Sequence, residues 1–235
     1  SFTASALSYM LSGLNKPVIL TGAQIPMGYI RSDARENLLT ALEIASAKKD
    51  GLPIINEICV FFNLVLLRGN RSSKIKSSMF AAFESQNYPV LAESGIDIEY
   101  NYKYLAVHDP KSKLKIKRGF DESVTILKIF PSISQQVVRS ILNIKGLKGV
   151  VLETYGSGNT MNYPWFLKEI KKALDKGILF YNVSQCSGGE VIQGRYETSK
   201  QLKELGVVGG GDITTEAAVT KLMFLLGTES RLSTI

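Results

Sequence analysis

The stretch KPVILTGAQIPMGYIRSDARENLLTALEIA, from Lys16 to Ala45, decides the fold class of this chain. It contains a short, largely apolar run, Val18 to Thr21, which is typical of a strand buried in a parallel sheet. A polar loop follows this run, and Ser32 or Asp33 can then cap a helix. The apolar side chains of that helix recur at helical spacing and are predicted to form its buried face: Leu38, Leu39, Leu42, and Ile44 with Ala45.

The alternation of strand and helix continues on both sides of this stretch. Residues 1–14 have apolar side chains at helical spacing, and Ile58 to Phe62 reads as the next strand. Beyond residue 120 the same order returns, with predicted strands over 124–130, 149–152 and 178–183 and predicted helices over 137–142, 164–176, 198–205 and 214–226. We therefore predict an α/β fold with a mostly parallel sheet and flanking helices.

Residues 103–120 differ in character from the segments on either side. They are rich in lysine and poor in bulky apolar residues around His108-Asp109-Pro110. We expect an exposed hairpin or connector just before a domain boundary. The predicted organisation is an N-terminal domain over residues 1–120, with the connector near 105–120, and a smaller C-terminal α/β domain over residues 121–235.

The composition limits the chemistry that this chain can carry. Lys and Arg number 28 against 21 Asp and Glu, and the formal charge of +7 raises the weight of an anionic partner. His108 is the single histidine, and Cys59 and Cys186 are the two cysteines, so a zinc site of His and Cys ligands is not expected. The two cysteines lie far apart in the sequence, which fits the reducing cytosol.

Membrane association and secretion are not expected from the apolar pattern. The longest apolar stretch, Ile58 to Leu67, is interrupted by Asn63 and is too short to cross a bilayer. No basic segment followed by an apolar one marks a secretory signal. We expect a soluble, cytoplasmic protein.

Three loops that follow predicted strands combine glycine with small polar side chains: Thr21 to Pro26, Arg68 to Lys74, and Thr154 to Asn159. Ligands of parallel sheets bind beyond the carboxyl ends of the strands, and glycine lets backbone amides approach a ligand. Each loop taken singly is also compatible with an ordinary turn. Phosphate-binding patterns are absent from the sequence, which contains no G-x-x-x-x-G-K-[ST] and no third glycine at the dinucleotide spacing.

Taken together, the loops resemble one family. The motifs occur in a fixed order: Thr21-Gly22-Ala23-Gln24-x-Pro26, Arg31-Ser32-Asp33 with Asn37-Leu38, Arg68-Gly69-Asn70-Arg71-Ser72-Ser73-Lys74, Tyr155-Gly156-Ser157-Gly158-Asn159, Gln185-Cys186 and Gly209-Gly210-x-Asp212. As a set they resemble the bacterial type I, cytoplasmic L-asparaginases. The resemblance implies a Rossmann-like larger N-terminal domain, a flavodoxin-like C-terminal domain, and dimers or tetramers whose sites are completed across subunits. It also implies hydrolysis of L-asparagine to L-aspartate and ammonia without metal or cofactor.

The resemblance also implies roles for individual residues. A threonine hydroxyl is a poor nucleophile at neutral pH, and in this family a second threonine is assisted by a lysine that an aspartate orients. Lys74 matches that lysine, and its ammonium is expected to be partly desolvated. The carbonyl of Ala23 matches the acceptor for the side-chain amide of the substrate. Asn159 matches a residue that helps to hold the α-amino group from a neighbouring subunit, and Asp33 and Asn37 are expected to support the site.

Two departures from the family pattern lead to further expectations. The sequence lacks the T-G-G-T and H-G-T-D-T motifs that carry both threonines and the aspartate, and Ser1-Phe2-Thr3-Ala4 reads like the helix directly after H-G-T-D-T. We therefore expect an N-terminally truncated chain that is inactive alone. Glu153 replaces an arginine of the family's additional, allosteric asparagine site, near Cys186, so that site is expected to be weakened or lost.

Two other functions stay open from the sequence. One is the asparaginase-like amidase subunit of a tRNA-dependent amidotransferase, for which a tRNA partner would suit the positive charge. The other is a non-catalytic relative that binds RNA through the basic stretch 103–118, with Tyr100, Tyr102 and Tyr104 stacking on bases. A solvated hairpin is the favoured interpretation of that stretch, and a nucleic-acid partner is not expected.

Overall fold

A computed structural model describes residues 1–229 of the chain. It divides into two compact units, one from Ser1 to Lys117 and a second that begins at Arg118. Each unit has its own sheet and its own hydrophobic core. Within the described range, no helix is long and apolar enough to cross a membrane.

The first unit is built around a five-stranded sheet with the strand order β10-β9-β6-β5-β2. Two single 3₁₀ turns, Gly69–Arg71 and Tyr102–Tyr104, interrupt the chain. Its helices and strands are α1 (Phe2–Met10), β1 (Leu11–Ser12), β2 (Val18–Leu20), α2 (Ala34–Ser46), β3 (Lys48–Lys49), β4 (Leu52–Pro53), β5 (Ile58–Phe62), β6 (Val65–Arg68), β7 (Ser73–Lys74), β8 (Phe83–Glu84), β9 (Ala92–Ser94), β10 (Ile98–Tyr100) and β11 (Lys115–Ile116).

The predicted strand–helix–strand unit is confirmed. Strands β2 and β5 pair in parallel, with α2 between them in sequence. Strand β5 is buried along its whole length because both faces of the sheet are covered. Cys59 and Phe61 pack into the cluster that contains Ile44 of α2, whereas Ile58 and Val60 pack in a separate cluster that includes Ala4 of α1 (Phe2–Met10). The alternation along one strand thus explains why the run is apolar at every position.

The rest of the first sheet is antiparallel, and here the expectation of a mostly parallel sheet is wrong. Strands β5 and β6 form a hairpin whose loop is only Asn63 and Leu64, with φ values of 48° and 69°. Two successive residues with positive φ are the mark of a type I′ turn, which matches the twist of the paired strands. Strands β6, β9 and β10 then continue the antiparallel pairing. The α/β class itself is confirmed.

Helix α2 buries a different face from the predicted one. Ile44 is buried as expected, but Leu38, Leu39 and Leu42 are 43%, 51% and 57% exposed. The buried residues of α2 are Asn37, Thr40, Ala41 and Ile44. This face is narrower and more polar, and it brings Asn37 to the loop after β2, where its amide forms the hydrogen bonds described below. The prediction counted apolar residues and had no term for a buried amide.

The ends of the first unit differ in detail from the prediction. Helix α1 ends at Met10 rather than near Leu14, because Leu11 and Ser12 leave the helix as β1. That strand pairs with β11, Lys115 and Ile116, inside the basic stretch. Part of the predicted exposed connector is therefore a strand of a small two-stranded sheet.

The second unit contains a parallel sheet with the strand order β12-β13-β14-β15, and the parallel arrangement predicted for this half is confirmed. Residues 230–235 of the predicted C-terminal domain lie outside the described residues. Its helices and strands are β12 (Val124–Lys128), α3 (Gln135–Leu142), β13 (Gly149–Thr154), α4 (Pro164–Asp175), β14 (Leu179–Ser184), α5 (Glu197–Leu205), β15 (Val208–Gly209) and α6 (Thr215–Thr228).

Candidate active site

A cavity of about 290 Å³ opens in the first unit beyond the carboxyl ends of β2 and β5. This is where a parallel pair of strands presents its loops to a ligand. Ala23 and Lys74, two of the predicted site residues, both line it. Its full lining is Ser1, Thr3, Leu20, Thr21, Gly22, Ala23, Gln24, Val60, Phe62, Lys74 and Phe83.

The loop that carries Ala23 is held by Asp33, the residue before α2. The backbone N–H groups of Gln24 and Ile25 donate hydrogen bonds to the Asp33 carboxylate at 3.0 Å and 2.9 Å. Burial by itself raises the pKa of Asp33, but these backbone donors outweigh it and leave the pKa below its ordinary value. Asp33 is therefore a charged acceptor that fixes the loop.

Asn37 adds a second connection from α2 to the same loop. Its side-chain nitrogen donates to the Gly22 carbonyl at 2.9 Å and to Asp33 at 3.1 Å. Its side-chain oxygen accepts from the N–H of Asn63 in the hairpin turn at 3.2 Å. Asn37 is only 3% exposed, so these bonds lie in an environment where an unpaired amide would be costly. The geometry matches the supporting roles predicted for both residues.

Arg68 begins the segment that ends in Lys74. Its guanidinium donates to the Glu57 carboxylate through Nε at 2.5 Å and Nη2 at 3.1 Å. It also donates to the Tyr88 hydroxyl at 2.7 Å and to the Tyr104 carbonyl at 2.8 Å. Burial opposes the charge of Arg68, but its hydrogen bonds and ion pair with Glu57 outweigh this and raise its pKa. The start of the segment is therefore firmly anchored.

Sequence analysis missed Glu57 and Tyr88. Glu57 stands directly before the buried strand β5, and an acidic residue at that position was the one available signal. Tyr88 lies in no motif, and its contact with Arg68 spans 20 positions. Its ring also lies near a second arginine of the same segment, Arg71, at 5.4 Å from the ring centroid. No sequence pattern pointed to it.

Lys74 itself is exposed, which differs from the expected partial desolvation. Its ammonium lies 5.9 Å from the centroid of the Phe83 ring. Lys76, two residues further on, forms an ion pair with Glu84 at 3.4 Å. Among residues 1–229, no carboxylate pairs with Lys74 in this way. Its amine is thus open toward the cavity.

Asn159 belongs to the second unit, in the loop after β13. Its backbone pairs with that of Tyr155 in both directions at 2.9 Å, which closes a tight turn. Its side-chain oxygen accepts a hydrogen bond from the hydroxyl of Thr198 at 3.3 Å. The Asn182 amide donates to the Gly158 carbonyl at 3.4 Å, so the turn is tied to the neighbouring strand as well.

Glu153 and Cys186 lie at the carboxyl end of the second sheet. The Glu153 carboxylate accepts a hydrogen bond from the Thr215 hydroxyl at 2.6 Å and pairs with Lys128 at 3.4 Å. Cys186 is an exposed free thiol in the loop after β14. The amide of Gln185, its neighbour, donates to the Glu153 carbonyl at 2.8 Å, so the two loops are linked.

The tyrosines beside the basic stretch are largely engaged within the first unit. Tyr100 and Tyr104 pack against the core of that unit. Tyr102 is 52% exposed, and its ring has the ammonium of Lys49 at 4.3 Å from its centroid. A platform for stacked bases needs free ring faces, and this arrangement offers few of them.

Comparison with known proteins places these loops in one family. The sequence model "Asparaginase, N-terminal" matches residues 1–106, and "Glutaminase/Asparaginase C-terminal domain" matches residues 123–235. L-asparaginase 1 of Escherichia coli (strain K12) is 43% identical over 235 residues, which are 100% of this chain and 68% of the relative. The crystal structure of L-asparaginase I from Vibrio cholerae O1 biovar eltor str. N16961 superposes with a TM-score of 0.85 at 39% identity, over 96% of this chain and 66% of the other.

A more distant relative carries a different name. This relative, from a glutamyl-tRNA(Gln) amidotransferase of Methanopyrus kandleri, is 32% identical over 240 residues, which cover 96% of this chain and 50% of the relative. The chain thus spans about two thirds of the length of the asparaginases it resembles and half of the amidotransferase relative. With both family domains matched along nearly its whole length, this chain belongs to the asparaginase family.

Proposed function

We propose that the chain forms the lysine-bearing part of an L-asparagine amidohydrolase, which converts L-asparagine and water to L-aspartate and ammonia. The observation that carries this proposal is the cavity that Ala23 and Lys74 line together beyond the ends of β2 and β5. The names of the asparaginase relatives support the choice of substrate.

The reaction assigns a task to each group. The hydroxyl oxygen of a threonine attacks the amide carbon of the substrate, and ammonia leaves once its nitrogen is protonated. Lys74 moves the proton, and the Ala23 carbonyl accepts a hydrogen bond from the substrate amide. Water then hydrolyses the acyl-enzyme ester and releases aspartate. Asn159 of a neighbouring subunit helps to hold the α-amino group, and the chemistry draws on no metal or cofactor.

The threonines of this reaction belong to motifs that the 235 residues do not contain. We therefore predict that the purified chain releases no ammonia from asparagine. A chimera tests the function directly, with the segments of the E. coli enzyme that this chain does not cover joined to it. The chimera should release ammonia from L-asparagine. Ammonia release by the chain alone would contradict the first expectation, and a folded but inactive chimera would contradict the function.

A homo-oligomer, dimer or tetramer, is part of the proposal. Leu38, Leu39 and Leu42 form an apolar strip on α2 that nothing in the described residues covers, and three such side chains offer a surface for a second copy. Light scattering after gel filtration should give a multiple of 25.8 kDa for the chain. The double variant Leu38→Gln, Leu42→Gln should give a smaller mass with an unchanged circular dichroism spectrum, and an unchanged mass would exclude this surface as the interface.

The remaining proposals concern regulation and location. We expect no allosteric asparagine site around Glu153 and Cys186, because the Glu153 carboxylate would repel the carboxylate of a second asparagine. Burial raises the pKa of the Cys59 thiol well above its ordinary value, and both cysteines are free, which fits a cytoplasmic location. The amidotransferase alternative has weaker support, since that relative is more distant and only half covered.

A further inference from the structure

Gln24 stands next to Ala23 in the cavity lining, and the proposed reaction gives its side chain no task. Its amide nitrogen donates two hydrogen bonds, to the Ser77 carbonyl at 3.0 Å and to the Met79 carbonyl at 2.8 Å. A glutamine amide has two N–H donors, so both are used on backbone acceptors more than 50 positions away.

The two ends of this residue are held by different segments. On one side, its backbone N–H donates to the Asp33 carboxylate, which fixes the loop of residues 22–25. On the other side, its side chain reaches the loop of residues 75–82, which begins directly after Lys74. Gln24 is therefore a physical link between the segments that carry the two predicted site groups.

The loop of residues 75–82 is itself closed at its base. The N–H groups of Ile75 and Lys76 both donate to the Ala82 carbonyl, at 2.8 Å and 3.3 Å. Immediately outside this base, Ser73 and Lys74 of β7 pair with Phe83 and Glu84 of β8. A displacement of the loop is therefore passed directly to the strand pair that carries Lys74.

We propose that Gln24 is a positioning residue: its side-chain amide couples the Ala23 loop to the loop after Lys74, and so fixes the spacing of these two groups across the cavity. The coupling is a property of the fold, whereas its consequence for catalysis rests on the roles proposed for Ala23 and Lys74. A glutamine that merely covers the surface would not need both donors on carbonyls of one distant loop.

The test uses the full 235-residue chain and the variant Gln24→Met, which keeps the length of the side chain and removes both donors. Amide hydrogen exchange at Ile75, Lys76 and Ala82 should become about tenfold faster, because the loop loses two hydrogen bonds that hold it. Asn15→Leu is the matched control: the Asn15 amide also donates to a distant backbone carbonyl, that of Ser112, at 2.8 Å. Exchange in the 75–82 loop should change by less than about twofold in that control.

A second measurement separates positioning from general stability. Carbon-13 NMR should show a shifted ε-carbon signal for Lys74 and a shifted carbonyl signal for Ala23 in Gln24→Met, and neither shift in Asn15→Leu. Gln24→Glu, which also lacks both donors when ionised, should behave like Gln24→Met and serves if the methionine variant does not fold. Unchanged exchange, or equal loosening in the Asn15 variant, would overturn the proposal. An inactive chimera would contradict the asparaginase function and leave these measurements untouched.

Discussion

The carboxyl ends of the two sheets carry opposite kinds of charged group. In the first unit, Lys74 lines a cavity, and no carboxylate among residues 1–229 pairs with it. In the second unit, the Glu153 carboxylate is already bound by Lys128 and Thr215, and its side chain is only 13% exposed. The two positions are comparable in topology, since each lies beyond the strand ends of an α/β unit.

This difference separates a group that can act on a ligand from a group that stabilises the fold. A charged side chain with satisfied partners has little free energy to gain from a ligand, whereas an unpaired one in a cavity can gain a partner. Thr215 lies in the first turn of α6, where the helix dipole also favours the negative charge of Glu153. Mutation of Lys74 should therefore change activity, and mutation of Glu153 should change stability.

The largest expected effect is on catalysis, at Lys74. In the chimera, Lys74→Ala should lower kcat for asparagine about 100-fold to 10,000-fold, because the proton shuttle is lost. The free energy of unfolding should change by less than about 0.5 kcal/mol, because an exposed, unpaired side chain contributes little to stability. Steady-state ammonia release and urea unfolding of the same preparations measure both quantities. Full activity in Lys74→Ala would remove the main residue of the proposed mechanism.

Glu153 should show the reverse pattern. Glu153→Leu should lower the free energy of unfolding by about 1–3 kcal/mol, because the Thr215 hydroxyl loses its acceptor in a mostly buried position. Lys128→Met is the control, since Lys128 is 63% exposed and its ion pair should contribute less than about 1 kcal/mol. The kcat of the chimera should stay within about twofold in both variants, in line with a role in stability alone. A loss of activity without a loss of stability would place Glu153 in a ligand site.

The sequence predicted those parts of the molecule that local pattern determines. The strand–helix–strand unit, the parallel second sheet and the support of the Ala23 loop by Asp33 and Asn37 all depend on residues close together in the chain. The meeting of Ala23 and Lys74 in one cavity followed from the rule that strand ends share an edge.

The remaining features depend on contacts that sequence does not display. Leu64 has a positive φ of 69°, which β-hairpin propensity does not favour for leucine, so the turn after β5 was not recognised. The three leucines of α2 were assigned to the core because amphipathic patterns do not distinguish a core from a surface for a second copy. The Glu153–Thr215 bond spans 62 positions and the Arg68–Tyr88 bond spans 20, and neither pair stands out in composition.

The smallest expected effect concerns acid stability, and it compares Asp33 with Asp121 of the second unit. Backbone N–H groups lower the pKa of Asp33, whereas the ammonium of Lys148, at 2.5 Å, is the main cause that lowers the pKa of Asp121 from its ordinary 3.8 to about 2. A carboxylate with a lowered pKa stabilises the fold above its unfolded pKa, and this stabilisation is lost as the pH falls through the folded one. Asp121 should therefore contribute fully above about pH 4 and lose its contribution toward pH 2.

Lys148→Met should isolate this contribution. At pH 7 the free energy of unfolding should fall by about 0.2–1 kcal/mol, since Lys148 is itself 56% exposed. The difference from the native chain should vanish as the pH approaches 2, because Asp121 is then largely protonated in both proteins. Urea titrations at several pH values between 2 and 7 measure the difference directly. A difference that stays constant over this range would mean that Lys148 acts through packing of its aliphatic chain and not through the charge of Asp121.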